Sequence, residues 1–509
     1  MGLVSKVGRR RNRARLAMGV VYGLLILGAL TTLYPFVLMV TTALRGQFDQ
    51  NDTQLWPSYL SDDDTLFRKY LDDKYSGDAS AIASTRLVGD TSRLETYRQF
   101  LRELPTEMWV PAFRMSPNQV TSRLQSRYQA WLRARFRNDI AALNRTYLEE
   151  NVGFQTVSPP AEMRERKAWS PPNTPKFRDW LEFKQTLPVE WRVPVRTERI
   201  YQEYVRGRTR NQFSEVPPEL KGTATSFETL RIAAAGTWRA AFEQTALPAA
   251  YRRDSVEGRW AQLSVEPMPI DGFERLVVRT ESRALRQEFA VRNFAYVIDY
   301  VVVNGRAIWN TALFCFLAIA VQLTVNPIAA YALSRYPVRQ SGQILIFLLA
   351  TMAFPAEVAM IPSFLLLKDL GLLNTFAALV LPVAANGYMI FLLKGFFDSL
   401  PQELFEAGQL DGAKESVMIV NIALPLCRPV LGYLALLAFM GAYGAFIYAF
   451  LIAQDQGMWT LMVWIYQLQN IAPKSVMMAA LTLAAVPTLV VFLAAQNVIL
   501  RGIVLPDER

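Results

Sequence analysis

The sequence predicts an α-helical membrane protein of six transmembrane helices, with a large, mainly helical polar insertion between the first and second. Two observations predict it. Charge is segregated: residues 45–305 hold 38 of the 54 Lys and Arg and 34 of the 44 Asp and Glu, in a chain of 509 residues that is 52% hydrophobic. Outside that block, six apolar runs approach the ~20 residues a bilayer-crossing helix needs. They cover residues 16–44, 307–333, 344–364, 376–396, 426–452 and 477–500. A soluble core helix can imitate one such run, but not six with polar punctuation between them.

The elements follow in chain order. Residues 1–15 carry Lys6, Arg9, Arg10, Arg11, Arg13 and Arg15 directly before the first apolar run. Such a cluster could be a nucleic-acid arm, but beside an apolar run it reads as a cytoplasmic anchor. The run at 16–44 exceeds the ~7–15 residues of a signal-peptide core and lacks a small-residue cleavage site, so it reads as a retained span. With the N-terminus inside, Arg335, Arg339, Lys394, Lys414, Arg428 and Arg501 fall in inner loops or just after the last span, and Lys368 and Lys474 in outer ones. That bias matches the positive-inside rule. It places 45–305 outside the membrane, and both termini, with the tail 501–509, in the cytoplasm.

The polar block reads as helix-rich. Leu124, Tyr128, Trp131 and Leu132 recur at helical spacing, and similar patterns run near 197–208 and 227–244. The segment from Phe100 to Pro105 with Val110-Pro111 resembles Phe183 to Pro188 with Val193-Pro194, at an offset of 83 residues. A third trace is Phe242 to Pro248. Duplicated helical modules explain the echo; so does chance in an Arg- and aromatic-rich sequence. The block is nearly charge-balanced, which argues against nucleic acid as a partner.

Several chemistries are excluded. The chain has no His, which removes His triads, His metal ligands and His switches. Cys315 and Cys427 both lie in apolar runs, so neither a disulfide framework nor a Cys-ligated zinc site is expected. No phosphate-binding G-x-x-x-x-G-K-[ST] loop occurs. No catalytic residue, metal or cofactor is assigned.

Residues 397–425 carry the strongest signal. Ser399 and Gln402 have capping-box spacing, Pro401 suits a first helical turn and Gly412 suits a helix stop. Leu404 and Phe405 offer apolar anchors; Ala407 and Gly408 offer a smooth face. A second short helix then leads to Pro425. Glu406-Ala407-Gly408, followed by Asp411-Gly412 and by Ile422-x-Leu424-Pro425, resembles the EAA signature of binding-protein-dependent ABC transporter permeases. Gly408 stands where that pattern has a third Ala. Asn310-Thr311, Ala329 to Arg335, Gly371 to Thr375 and Leu400 to Leu404 resemble the maltose-type subfamily. Tyr443-Gly444-Ala445-Phe446 replaces its usual W-N-x-F, and Ile503 to Arg509 its Gly-rich C-terminus. The polar block resembles nothing in the core family.

The resemblance implies a permease core over 306–500 in a bacterial inner membrane, forming half of a pathway for a sugar or sugar derivative. It implies a cytoplasmic ATPase dimer, a second permease subunit and an extracytoplasmic solute-binding protein as partners, within membrane lipid. Glu406, Ala407, Gly408, Asp411, Gly412, Ile422, Leu424 and Pro425 would form the ATPase-coupling element. Glu406 could equally be a solvated helix residue. Glu357, Asn386, Tyr443 and Phe446 are candidates for the pathway, with Glu357 alternatively at the outer interface. Gln454, Asp455 and Trp459 are candidates for binding-protein contact, with Trp459 and Trp464 alternatively membrane-belt residues. The rival reading is a membrane-anchored glycan-binding, glycan-processing or sensor domain, for which a capped inner loop of this spacing would have no use.

Overall fold

The computed structural model describes residues 12–46, 49, 52, 54–75, 91–111, 123–303, 306–336, 339–351, 355–470 and 472–502. The basic residues Lys6, Arg9, Arg10 and Arg11 and the tail from Ile503 lie outside the described residues.

In a bilayer core no water satisfies a free backbone group, so apolar runs become helices. Three described helices are long and apolar enough to cross a membrane: Met18–Ala43, Ala307–Arg335 and Lys474–Gln496. Two other expected runs are bent. Phe376–Val383 and Gly387–Asp398 meet at 51°, and Glu415–Leu426 and Arg428–Tyr443 at 85°. Counting each bent pair as one span gives five. The run expected at 344–364 is divided between helices Ser341–Thr351 and Ala356–Asp369, with 352–354 outside the described residues. The run expected at 426–452 is also divided, into Arg428–Tyr443 and Phe446–Ile452. The breaks have local causes. Asn386 caps a new helix by accepting from the Met389 N–H. Pro425 and Pro429 flank Cys427 at the sharper bend.

The chain forms two units, Met1–Tyr296 with Ala472–Ala479, and Val297–Ile471 with Ala480–Arg509. In the first, the end of the apolar helix is tied to the long helix Ile270–Val297. Buried Asn293 donates from Nδ2 to the carbonyls of Ala43 (2.7 Å) and Arg45 (2.6 Å). Tyr59 donates its hydroxyl to the Leu44 carbonyl at 2.7 Å.

The echo at 83 residues is structural. Helix Thr91–Glu103 leads through Leu104-Pro105 and a 3₁₀ turn into the strand Trp109–Val110. Helix Pro175–Thr186 leads through Leu187-Pro188 and a 3₁₀ turn into the strand Val193–Pro194. The strands pair antiparallel, Val110 opposite Val193, its own counterpart, so a local two-fold axis relates the copies. Corresponding side chains share burial: Leu94 and Phe177, Tyr97 and Trp180, Phe100 and Phe183, Leu104 and Leu187.

The likeness continues at an offset of 73. Helices Arg123–Arg135 and Thr197–Arg208 bury Tyr128 and Tyr201 alike. Gln129 Nε2 donates to the Val157 carbonyl at 3.1 Å, and Gln202 Nε2 to the Leu230 carbonyl at 3.0 Å. Both helices are followed by Arg-Asn in left-handed backbone, Arg137-Asn138 and Arg210-Asn211. The matching bonds and left-handed residues show that the echo is a repeated structural module. The third trace keeps only buried Phe242 and Leu247, in and after helix Thr237–Thr245. The helix expected over 227–244 is thus half realised. Phe227–Thr229 is a 3₁₀ turn, and Gly236 at φ +113° precedes the helix.

In the second unit, Ala330, Tyr331, Met389, Leu393, Phe397, Phe405, Cys427 and Leu434 form the core that seats the site.

Candidate functional site: an exposed helical knob and a polar-lined cleft

The loop after Asp398 folds as two short helices. The first, Gln402–Leu410, starts at Pro401 with no side-chain cap. The expected capping box is absent because Ser399 Oγ turns back onto the Phe396 carbonyl at 2.7 Å and Gln402 Nε2 donates to Glu406 Oε1 at 2.9 Å. The helix stops as expected: Asp411 is its C-cap, and Gly412 takes φ +72°, a region costly to any residue with a Cβ. Of the two apolar anchors, only Phe405 turns inward (4% exposed); Leu404 is exposed. Glu406, Ala407, Leu410, Asp411 and Gly412 are all solvent-facing, with Leu410 90% exposed.

The second helix comprises Glu415–Met418 and the wider turns Ile419–Ala423, running on to Leu424–Leu426. The two halves of the sequence signature meet here. A methyl placed at Gly408 would lie 3.4 Å from Ile422 Cδ1 and 3.6 Å from Met418 Sδ, ordinary contact distances. Leu424 and Pro425 are half-buried beneath. A short helix in this position draws its stability from packing rather than propensity. Phe405 supplies it, in tilted contact with Tyr331, whose ring also meets Phe397 edge-on.

Further along the second unit lies a cleft of about 550 Å³. Gln322, Ser363, Asn386, Tyr388 and Tyr448 bring polar groups to its lining and Phe314, Met360 and Leu437 apolar ones; among the described residues no Asp, Glu, Lys or Arg lines it. Asn386 is the one pathway candidate on this wall. Glu357 is exposed in the first turn of Ala356–Asp369, outside the lining. Tyr443 points elsewhere, donating to the Ala484 carbonyl at 2.6 Å and stacking on Phe439. Phe446 packs against Phe450 and Tyr466. Gln322, Ser363, Tyr388 and Tyr448 were not singled out from sequence. A polar residue inside an apolar run was their signal.

Gln454 and Asp455 are exposed, and the Asp455 N–H donates to Asn374 Oδ1 at 2.9 Å. Trp459 is half-buried and edge-packed on Trp464, which is 1% exposed and meets Tyr300. Trp464 is therefore core, not a belt residue. Asn310 Nδ2 holds this loop through the carbonyls of Gly457 (2.8 Å) and Trp459 (3.1 Å).

Long apolar helices, an exposed helical knob seated on the core of the second unit and a polar-lined cleft in that unit define a multi-pass membrane transport subunit rather than an anchored sensor. Residues 326–504 match the family described as binding-protein-dependent transport system inner membrane component. Protein LplC of Bacillus subtilis is 29% identical over 44% of this chain and 83% of its own length. The sn-glycerol-3-phosphate transport system permease protein UgpE is 30% identical in Salmonella typhi, over 41% of this chain and 76% of that protein. UgpE of Yersinia pestis is 32% identical, over 39% and 73%. A chain of a bacterial ABC transporter that imports the acidic polysaccharide alginate is similar at 23% identity and TM-score 0.37, over 40% of this chain and 78% of that one. The protein belongs to this inner-membrane permease family of ATP-binding-cassette importers.

Proposed function

We propose that this chain forms half of an import pathway for an uncharged, hydroxyl-rich solute, a sugar or sugar derivative. The observation that carries the reading is the cleft: amide, hydroxyl and aromatic groups line it without an ionised side chain. Such a wall can exchange hydrogen bonds with hydroxyls and stack on a sugar face. It offers no cation to offset the desolvation of a phosphate or carboxylate. UgpE is named for an anionic solute, so this assignment departs from that relative in charge.

The exposed helix Gln402–Leu410 is the surface a separate cytoplasmic ATPase dimer grips. Glu406 accepts charge-assisted hydrogen bonds there, and Ala407, Gly408, Asp411 and Gly412 shape the contact. Ile422, Leu424 and Pro425 back it from behind. Gln454, Asp455 and Trp459 face a solute-binding protein on the opposite side, where residues 45–305 also lie, and a second permease completes the pathway. The Lys and Arg bias of the short loops supports this orientation.

The test is reconstitution of the four components in liposomes. Uptake driven by ATP is expected for a neutral sugar and not for its phosphorylated form. Uptake of the anionic form alone overturns the substrate assignment. Glu406→Lys is expected to abolish ATPase co-purification; unchanged co-purification overturns the coupling assignment.

A further inference from the structure

Side chains from the end of one membrane helix hold the knob, and Arg335 makes the most contacts among them. Arg335 ends the helix Ala307–Arg335. Its guanidinium lies over the Phe405 ring, with Cζ 3.9 Å from the ring centroid. Its Nη2 donates to the carbonyls of Phe397 (2.6 Å) and Leu400 (3.3 Å), the residues that lead into the knob. Arg335 Nε is buried and has no hydrogen-bond partner among the described residues. One residue earlier, Ser334 Oγ donates to Asp398 Oδ1 at 2.6 Å. From the knob's far side, Glu415 Oε2 accepts from the Tyr331 hydroxyl at 3.0 Å, one turn back along the same helix. The last turn of Ala307–Arg335 thus grips both the entry to the first short helix and the start of the second.

We propose that Arg335 is the positioning residue that couples the knob to the translocation helices: it clamps Phe405 so that displacement of the knob carries the inner end of Ala307–Arg335 with it. The proposal rests on the reading of Gln402–Leu410 as the ATPase-facing helix. Two features make Arg the residue the task needs. A planar guanidinium presents its face to a ring while its edge donates to carbonyls, which a Lys ammonium cannot do at once. The Phe397 carbonyl belongs to the last turn of Gly387–Asp398 and the Leu400 carbonyl lies just beyond it, so the same side chain also ties in that helix. That helix supplies Met389 to the cleft, and Ala307–Arg335 supplies Phe314 and Gln322. Movement at the knob therefore reaches two walls of the cleft through one cation.

The experiment uses the assembled transporter in liposomes and reads solute imported per ATP hydrolysed. In Arg335→Lys the carbonyls keep a donor, and the guanidinium–ring contact is lost. In Phe405→Leu the buried volume is nearly kept and the ring is lost. Both are expected to co-purify with the ATPase subunit and to retain basal hydrolysis. Solute imported per ATP is expected to fall about 2- to 30-fold, the range over which a residue between two sites alters their coupling. In the double variant the losses should not multiply, because each removes the same contact. A merely structural role would lower yield or thermal stability and leave the ratio unchanged. Wild-type transport with both single variants keeping the wild-type ratio overturns the proposal. Loss of assembly in both single variants also overturns it, by showing that the contact is needed for folding rather than coupling. Failure of the wild-type complex to bind the ATPase or to import would instead overturn the reading on which the proposal rests.

Discussion

Lys184 is the sharpest test of how the polar unit is held together. Its side chain is fully buried, and Nζ donates to the carbonyls of Thr106 (3.0 Å) and Trp109 (2.8 Å) and to Glu162 Oε1 (3.0 Å). The ammonium also lies 4.6 Å from the Trp109 ring centroid. One module thereby supplies a cation to the turn of the other. Lys184→Met strands two carbonyls and leaves the Glu162 carboxylate, 3% exposed, with only Arg164 and the Trp180 indole N–H. Breaking a buried pair from one side costs about 3–5 kcal/mol. The exposed pair Arg135–Glu182 is the internal control, with side chains 37% and 56% accessible, worth about 0–1 kcal/mol. Hydrogen exchange on the purified full-length protein reads both. Amides of Thr91–Glu103 and Pro175–Thr186 that exchange through opening of the module pair should exchange at least about 150-fold faster in Lys184→Met, at 1.36 kcal/mol per decade. Glu182→Gln should change them by less than about fivefold. Adding Glu162→Gln to Lys184→Met should recover part of the loss, since the stranded charge is gone. An acceleration below fivefold in Lys184→Met would refute the reasoning.

Other outcomes follow from the same geometry. Gly408→Ala should retain uptake, because the new methyl meets Ile422 and Met418 at contact distance, whereas Gly408→Leu should drive the two knob helices apart and abolish ATPase co-purification. Gly387→Ala should lower the thermal stability of the membrane unit: its Cβ would stand 2.4 Å from the Leu348 carbonyl oxygen, a distance only backbone movement can relieve. Burial holds the Lys69 and Lys184 ammonium groups down to about 8, against the pull of Asp49 and Glu162 respectively. The unfolded chain keeps those protons to about pH 10.4. Between pH 8 and 10 the unfolded state therefore binds more protons, and the contribution of these groups to stability rises with pH, by at most about 1.4 kcal/mol per unit for each. Below pH 8 the burial penalty is carried in full. Denaturation midpoints of the polar unit between pH 7.5 and 9.5 check the sign, with Lys69→Met expected to flatten the slope.

How much of this was legible follows from what each residue type can signal alone. The knob was legible because its parts are local: a proline start, a glycine with positive φ and two short helices whose small residue meets an isoleucine at fixed spacing. The capping box was misread because Ser399 and Gln402 each had a nearer partner, Phe396 and Glu406, that spacing does not reveal. The continuity of the spans was over-read because hydropathy does not register the bend at Asn386 or the break at Gly444-Ala445. The cleft escaped, Asn386 apart, since Gln322, Ser363 and Tyr448 come from helices far apart in sequence. Arg335 read only as an inner-loop charge, and its stacking on Phe405 needed the fold. The module echo showed as two short matches because burial, not identity, is what the copies preserve: Tyr97 answers Trp180 and Val157 answers Leu230.

That duplication carries a practical corollary. The copies correspond at 83 residues before Val110 and Val193 and at 73 after them, so the first has ten more residues between its strand and its next helix. The fold thus accommodates both lengths at this joint. A ten-residue epitope spliced after Val195 should be tolerated for the same reason. Antibody access to that tag on sealed cells, against access after permeabilisation, would assign the sidedness of the whole polar unit without touching a single transport residue.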